Sequence, residues 1–336
     1  MIRSKLLGLA IALTATLALA AYPAVASAAL TGAGSTLVAP LMANWTSGFE
    51  SGGGTSVKYA AVGSGTGIAQ ITARSVDFGA SDAPLTGEQA SACDGCVQIP
   101  WALSATGLGF NLPGVSKLNL SGPLLAEIYL GKIKKWNDAK IKKANPKAKL
   151  PDTPITPIFR SDGSGDTYAF TEFLSKVSPT WKSQVGFSTS VGFKAGVGAK
   201  GNAGITSTVG KTPGAIGYIS ASYLIAAGLK AVAVQNRAGN YEYPNLANIE
   251  AAAATVTRVP ASNAISIVNP PSSASTAYPI STFTYAIVPH DAAQKADLRP
   301  FITYAITKGQ AFGASLDFAP LPQVVLQAAE KALSSL

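Results

Sequence analysis

The chain has 336 residues, enough for roughly two domains of about 150 residues each. Apolar residues make up 47% of it, which supplies packed cores and excludes a disordered polypeptide. The formal net charge is +9, with a single histidine and two cysteines, so a zinc centre lacks its ligands.

The chain begins MIRSKLLGLAIALTATLALAAYPAVASAAL. Arg3 and Lys5 make a positive start, Leu6 to Ala21 is an apolar run, and Ala26-Ser27-Ala28 is a cleavage pattern. Together these predict a secretory signal peptide over residues 1–28, removed near Ala28. The run is shorter than the roughly 20 residues that cross a bilayer. A periplasmic or secreted mature protein is therefore expected, with no lipid anchor because no cysteine sits near the cleavage point.

Short apolar strand-like runs then alternate with helical patterns, the arrangement of α/β architecture. Three strand-to-helix junctions share one chemistry. The first, LTGAGSTLVAPLMANW, places Ser35-Thr36 before a segment with apolar Leu37, Leu41 and Trp45. The second, VKYAAVGSGTGIAQITAR, runs from a strand through Gly63-Ser64-Gly65-Thr66-Gly67 into a short helix. The third, TPIFRSDGSGDTYAFTEFL, carries Arg160, Asp162, Ser164, Gly165, Asp166 and Thr167 into a helix with Phe170 and Phe173.

The first N–H groups of a helix have no partner inside it and lie at the positive end of its dipole. Glycine lets the backbone approach a ligand closely, and Ser or Thr adds a hydroxyl donor. Such a start can hold an anion without a cationic side chain. Taken alone, each of these stretches equally reads as an ordinary capped helix. None has the GxxxxGK[ST] loop of a nucleotide site, so a small anion is the implied ligand.

Between the second and third junctions lies SACDGCVQIP. In an exported protein Cys93 and Cys96 read as a small disulfide pinning a loop, with a redox-active pair as the alternative. Eight lysines follow between Lys132 and Lys149. With only Trp136 as an aromatic and no recognised motif, the run reads as a solvated surface and not as a nucleic-acid site. His290, in AIVPHDAAQK, is the only imidazole.

The stretches LTGAGSTLVAPLMANW, VGSGTGIAQITARSVDFGASDAPLT, FRSDGSGDTYAFTEFL and TPGAIGYIS occur in an order and spacing that resemble one family. This is the periplasmic phosphate-binding protein of bacterial phosphate ABC transporters, a PstS-like, type II periplasmic binding protein. The resemblance spans essentially the whole mature chain. It implies a two-lobed α/β clamshell, each lobe a mixed sheet flanked by helices. Lobe one would comprise residues 29–105 with 275–336, and lobe two residues 106–274. The chain would cross between them near 103–110 and return near 270–280.

The resemblance also implies a ligand, inorganic phosphate, and a partner, a membrane ABC permease, with no cofactor, no metal and no catalysis, in a monomer. Carried over by motif, the phosphate site would use Thr36, the Leu37 backbone, Ser64, Asp82, Arg160, Ser164, Gly165, Asp166 and Thr167, with Asp162 supporting Arg160. One departure stands out. Threonine usually follows Gly-Ser-Gly in this family, whereas this chain has Asp166 and then Thr167. The Asp166 carboxylate is expected to turn to solvent or cap the helix, leaving Thr167 to supply the hydroxyl.

An aspartate beside phosphate has a chemical logic. An ionised carboxylate only accepts hydrogen bonds. It can accept the P–O–H of phosphate, but against fully ionised sulfate it meets another acceptor, which discriminates between the two. Arg160 suits forked contacts with phosphate oxygens. Three other readings remain: a binding protein for another oxyanion or an organic phosphate, a secreted phosphatase or serine hydrolase, and a surface adhesion or scaffolding role that uses the basic 132–149 run. The hydrolase would need His290 as its base, and no GxSxG flanks a serine.

Overall fold

The computed structural model describes residues 29–336, and the signal peptide read from residues 1–28 lies outside them. The first part of the chain lays down β1 (Leu30–Gly34), α1 (Ala39–Ser51), β2 (Val57–Ala61), α2 (Ser64–Thr72), β3 (Phe78–Ser81) and α3 (Gly87–Ala92). A long strand, β4 (Cys96–Asn111), then leads into the middle of the chain. There follow β5 (Leu118–Leu120), α4 (Gly122–Tyr129), α5 (Ala139–Ala144), β6 (Thr156–Arg160), α6 (Gly165–Val177), α7 (Pro179–Gln184) and β7 (Val197–Ala199). Next come α8 (Gly201–Lys211), β8 (Ala215–Ser220), α9 (Ala221–Ala226), β9 (Lys230–Gln235), β10 (Tyr241–Glu242) and α10 (Leu246–Ala253). The chain closes with β11 (Ser281–Pro289), α11 (Lys295–Ile306) and α12 (Gln323–Ser334).

The main strand order is β2-β1-β3-β11-β4-β8-β6-β7. Strands β1, β2 and β3 run parallel, and β11 joins antiparallel to both β3 and β4. The parallel strands are joined through helices, as parallel pairing demands. Strand β4 belongs to both halves of this order. From Cys96 to Ala105 it pairs with β11, and from Thr106 to Asn111 it pairs with β8. The exchange of partners falls between two adjacent residues, Ala105 opposite Ser281 and Thr106 opposite Ser220. The result is a two-lobed α/β clamshell of mixed sheets flanked by helices.

Each half has an aromatic core. On one side Trp45 of α1 packs on Trp101 with ring centres 5.2 Å apart, and Phe78 meets Trp101 edge-on. On the other, Phe170 of α6 stacks on Tyr218 of β8 at 4.7 Å and meets Tyr129 of α4 edge-on. All six of these aromatics are fully buried, so on each side they anchor helices against the sheet.

Glycines set how closely helix and sheet approach. A Cβ on Gly67 of α2 would lie 2.5 Å from the Gly34 Cα and 2.6 Å from the Ala33 carbonyl oxygen. Glycine at this position is what lets the first turn of α2 sit directly on β1. Gly63, just before that helix, has φ of 96°, a conformation costly for any side chain.

Candidate functional site

The starts of α1, α2 and α6 meet at one place, beyond the carboxyl ends of β1, β3 and β6. In open α/β sheets this is where ligands characteristically bind. Ser64, at the start of α2, is the meeting point. Its Oγ accepts from the Gly165 N–H at 3.1 Å and from the Asp82 N–H at 3.2 Å, and donates to Asp82 Oδ2 at 3.3 Å. One hydrogen and two lone pairs are thereby all used. Beside it the Gly65 N–H donates to the Gly163 carbonyl at 3.0 Å.

The start of α6 and the loop before it pack backbone-tight against Asp82 and the start of α2. A Cβ on Gly165 would lie 2.3 Å from the Asp82 Cβ, and one on Gly63 would lie 2.5 Å from Asp162 Oδ2. The Gly-Ser-Gly stretches predicted to admit a ligand thus also let two helix starts face each other.

Ser35 and Asp82 form the floor beneath α1. Ser35 Oγ donates to Asp82 Oδ1 at 2.5 Å and accepts from the N–H groups of Leu37 at 3.0 Å and Val38 at 3.2 Å. The Ser35 carbonyl accepts from the Tyr59 hydroxyl at 2.7 Å. Asp82 is 2% exposed. Burial first, and the neighbouring charge of Asp166 second, push its carboxyl up to about 7.

A carboxyl raised in this way binds its proton more tightly in the folded chain than in the unfolded one. Its contribution to stability is fully present below the ordinary carboxylate range and is lost as pH rises through about 7. The ligand-free protein is therefore expected to melt at a higher temperature at about pH 5.5 than at about pH 8. The variant Asp82→Asn should show a shallower dependence. Equal slopes for the two proteins in thermal melts would remove Asp82 as the cause.

Arg160 ends β6 and is held on two sides. Its Nε and Nη2 donate to the two oxygens of Asp162, at 2.8 and 2.5 Å, and its Nη1 donates to Asp166 Oδ2 at 3.2 Å. The guanidinium has five N–H groups. Three are engaged, leaving one on each terminal nitrogen. Burial alone would raise Asp162, but the hydrogen bonds and charge of Arg160 hold it below the usual carboxylate value. Asp162 Oδ1 also accepts from the Gly201 N–H at 3.0 Å, which ties the start of α8 to the site.

The structure corrects the expectation for Asp166. Its carboxylate neither turns to solvent nor caps α6: it is fully buried, and Ser164 is the cap, accepting from the Thr167 N–H at 3.3 Å. Asp166 Oδ1 accepts from Thr106 of β4 at 2.8 Å, and Oδ2 accepts from Arg160 and from Asn202 of α8 at 2.7 Å. Donors from three elements converge on it because the first turn of α6 lies under all of them. Burial raises its carboxyl above the usual value, with Arg160 and these hydrogen bonds opposing. The Thr167 hydroxyl is 2.7 Å from the Tyr218 hydroxyl, which accepts from the Arg160 N–H at 2.8 Å. Tyr218 thus links the backbone of Arg160 to the Thr167 side chain.

Three residues of this network were not singled out by the sequence: Thr106, Asn202 and Tyr218. Asn202 is the most connected. Its Nδ2 donates to Thr36 Oγ1 at 2.9 Å and to Asp166, and its Oδ1 accepts from the Ser220 N–H at 2.8 Å. The stretch AKGNAG around it is a fourth glycine-flanked helix start, a signal of the same kind as the other three. Thr36 accepts in these contacts and so keeps its own hydrogen to donate.

The other sequence candidates lie elsewhere. Cys93 and Cys96 are joined by a disulfide, with Arg74 Nη1 3.7 Å from each sulfur. His290 is exposed, one residue past the end of β11, and its N–H donates to the Gly95 carbonyl. The lysine run lies on α5 and its flanks, where Lys140 pairs with Glu127 and Lys135 with Asp152. Among the described residues no cluster of three or more His, Cys, Asp or Glu is arranged to hold a metal ion.

Residues 21–308 match the PBP superfamily domain. The phosphate-binding protein PstS of Xylella fastidiosa (strain Temecula1) is 38% identical over 301 residues, covering 88% of this chain and 82% of that protein. The chain belongs to the PstS family. The PstS protein of Haemophilus influenzae is 36% identical over 316 residues, 92% of this chain and 94% of its own length. The same fold is seen in a solved structure of PfluDING, described as a high-affinity periplasmic phosphate-binding protein bound with phosphate. It superimposes with a TM-score of 0.74 at 24% identity, over 90% of this chain and 93% of that one.

Proposed function

We propose that this protein captures inorganic phosphate between its two lobes, outside the cytoplasm, and delivers it to a membrane ABC permease. Lobe one is residues 29–105 with 275–336 and lobe two is 106–274, a division supported by the change of β4 partner between Ala105 and Thr106. The observation that carries the reading is the convergence of three helix starts on one forked arginine and one buried carboxyl that accepts hydrogen bonds. PstS relatives carry the phosphate-binding name, and the site chemistry agrees with it.

In the bound state the Thr36 hydroxyl, the Leu37 N–H, the Ser64 and Ser164 hydroxyls, the N–H groups of Gly165 and Asp166, and the two remaining N–H groups of Arg160 are the donors, while the Thr167 N–H stays with the Ser164 cap and its hydroxyl with Tyr218. Phosphate takes over the Gly165 N–H from Ser64 and the Leu37 N–H from Ser35, exchanging internal hydrogen bonds for bonds to the ligand. Asp82 accepts the ligand's P–O–H. Asp162 holds the guanidinium plane in place.

Titration calorimetry of the mature protein with phosphate, arsenate and sulfate tests this, alongside an assay with a chromogenic phosphate ester. Saturable phosphate binding without ester hydrolysis is expected; no phosphate binding, or hydrolysis abolished by His290→Ala, overturns the reading. Geometry opposes the hydrolase. Thr282 of β11 donates to the Asp82 carbonyl, and His290 lies eight residues further along the same chain. At about 3.3 Å per strand residue this is roughly 26 Å, far beyond hydrogen-bonding reach of Ser64.

The glycine contacts add a second test. Gly165→Ala places a methyl group against Asp82, so the lobes cannot close fully. Phosphate affinity should fall at least about tenfold, the steric cost being on the order of 1–3 kcal/mol, and since the same contact is present without ligand the melting temperature of the ligand-free protein should fall as well. Unchanged affinity would show that Gly165 and Asp82 need not approach this closely.

A further inference from the structure

We infer that Asp166 makes phosphate capture proton-linked, so that the site takes up one proton from solvent with each phosphate dianion. This rests on the phosphate reading above and assigns to Asp166 the choice of ligand protonation state.

The argument begins with charge. The site has one cation, Arg160, facing three carboxyl groups: Asp162 on one edge, Asp166 on the other, and Asp82 beside Gly165. Asp162 takes two of the guanidinium N–H groups and stays ionised. Arg160 is thereby neutralised before Asp166 is counted. With Asp82 and Asp166 both ionised the cluster is at −2, and a phosphate dianion brings it to −4 among side chains that are nearly all buried. Helix dipoles and hydroxyls offset part of this, but like charges at close range are expensive at low dielectric. A proton is the smallest remedy.

The hydrogen bonds leave a place for it. A carboxylate has about four lone-pair positions. Asp166 uses three, for Thr106, Arg160 and Asn202. The fourth, on Oδ1, can carry a proton without breaking any of these contacts. Entering HPO₄²⁻ brings one proton, which it donates to Asp82. The second comes from solvent and settles on Asp166 or on a further phosphate oxygen that donates to Asp166. The balance is one dianion and one proton in, with no bond made or broken beyond these.

Other groups facing the pair do not supply the proton near neutrality. Tyr59 of β2, Tyr218 of β8 and Tyr223 of α9 are all pushed above the usual tyrosine value by burial. Arg160 is raised further and remains charged. The single histidine lies roughly 26 Å along β11, by the same rise per residue.

The experiment is calorimetry with inorganic phosphate at about pH 8.5, in two buffers of different ionisation heat, which counts protons taken up on binding. Free phosphate is almost all dianion there, so its own titration adds little. The full mature protein should take up about one proton per phosphate, and Asp166→Asn and Asp166→Thr should take up markedly less. Between about pH 6 and 8.5 the loss of affinity should be about tenfold smaller in the variants than in the parent. Equal proton counts in parent and variants overturn the role of Asp166. Should neither variant fold, the parent decides alone: no uptake at about pH 8.5 overturns the proposal. Failure of the parent to bind phosphate at any pH would instead sink the phosphate reading itself.

Discussion

Replacing Arg160 by alanine is expected to weaken phosphate binding by roughly two to three orders of magnitude. Removing one partner of a buried ion pair costs on the order of 3–5 kcal/mol, and about 1.4 kcal/mol is a factor of ten in affinity. Here the loss is compounded: Asp162 and Asp166 both lose their charged donor, and the ligand loses its only cation. Because the ligand-free protein also loses those contacts, part of the cost will appear as a lower melting temperature. Arg160→Lys separates the two effects. It restores a charge but not the planar fork, so it should recover stability better than affinity. Calorimetry and thermal melts on both variants make the check. An alanine variant that binds phosphate within a few-fold of the parent would remove Arg160 from the ligand site.

The second large effect concerns discrimination and not affinity. In Asp82→Asn one acceptor oxygen becomes an NH₂ donor. Ser35 and Ser64 now donate to the two carboxylate oxygens at 2.5 and 3.3 Å, and one of them must turn its hydrogen towards the ligand. The site then offers two new donors where it offered an acceptor, which suits a fully ionised anion. Sulfate, which the parent should bind at least about a hundredfold more weakly than phosphate, is expected to become an effective competitor. The estimate follows from an unpaired buried acceptor costing on the order of 1–3 kcal/mol, and more when both groups are charged. Competition by sulfate that is equally poor in parent and variant would refute the role given to this carboxyl.

How much of this was readable from sequence depends on how far apart in the chain the interacting residues lie. The helix starts at Ser35, Ser64 and Ser164 were legible because caps and glycine turns are local devices, written within a few residues. Arg160 and Asp162 were legible as a pair for the same reason, being two residues apart. Asp166 was misjudged. An acid in the first turn of a helix usually faces water, and only the tertiary position of α6, beneath β4 and α8, buries it. Thr106 lies within WALSATGLGF, a strand whose apolar character gives no hint that one hydroxyl grips a site residue. Tyr218 reads as a core aromatic and is one, and its second task as a relay between Arg160 and Thr167 depends on stacking that only the sheet order creates. The division into lobes was drawn from a resemblance. Composition and periodicity alone would not have shown that one strand serves two sheets.

That shared strand has a mechanical consequence. Since β4 is clamped by β11 up to Ala105 and by β8 from Thr106 onward, a relative rotation of the two halves would put torsion on that junction, as it would on the return segment near 270–280, which the Thr106 N–H grips at the Ile280 carbonyl. The first side chain past it is Thr106, whose hydroxyl holds Asp166 and whose carbonyl is held by Tyr278. The residue at the junction thus also holds a residue of the candidate site, as in a pair of tongs whose rivet also bears on the load. A distortion of β4 at this point would reach the Asp166 carboxylate through one hydrogen bond, so strain in the strand and the electrostatics around Arg160 are linked without an intermediate residue.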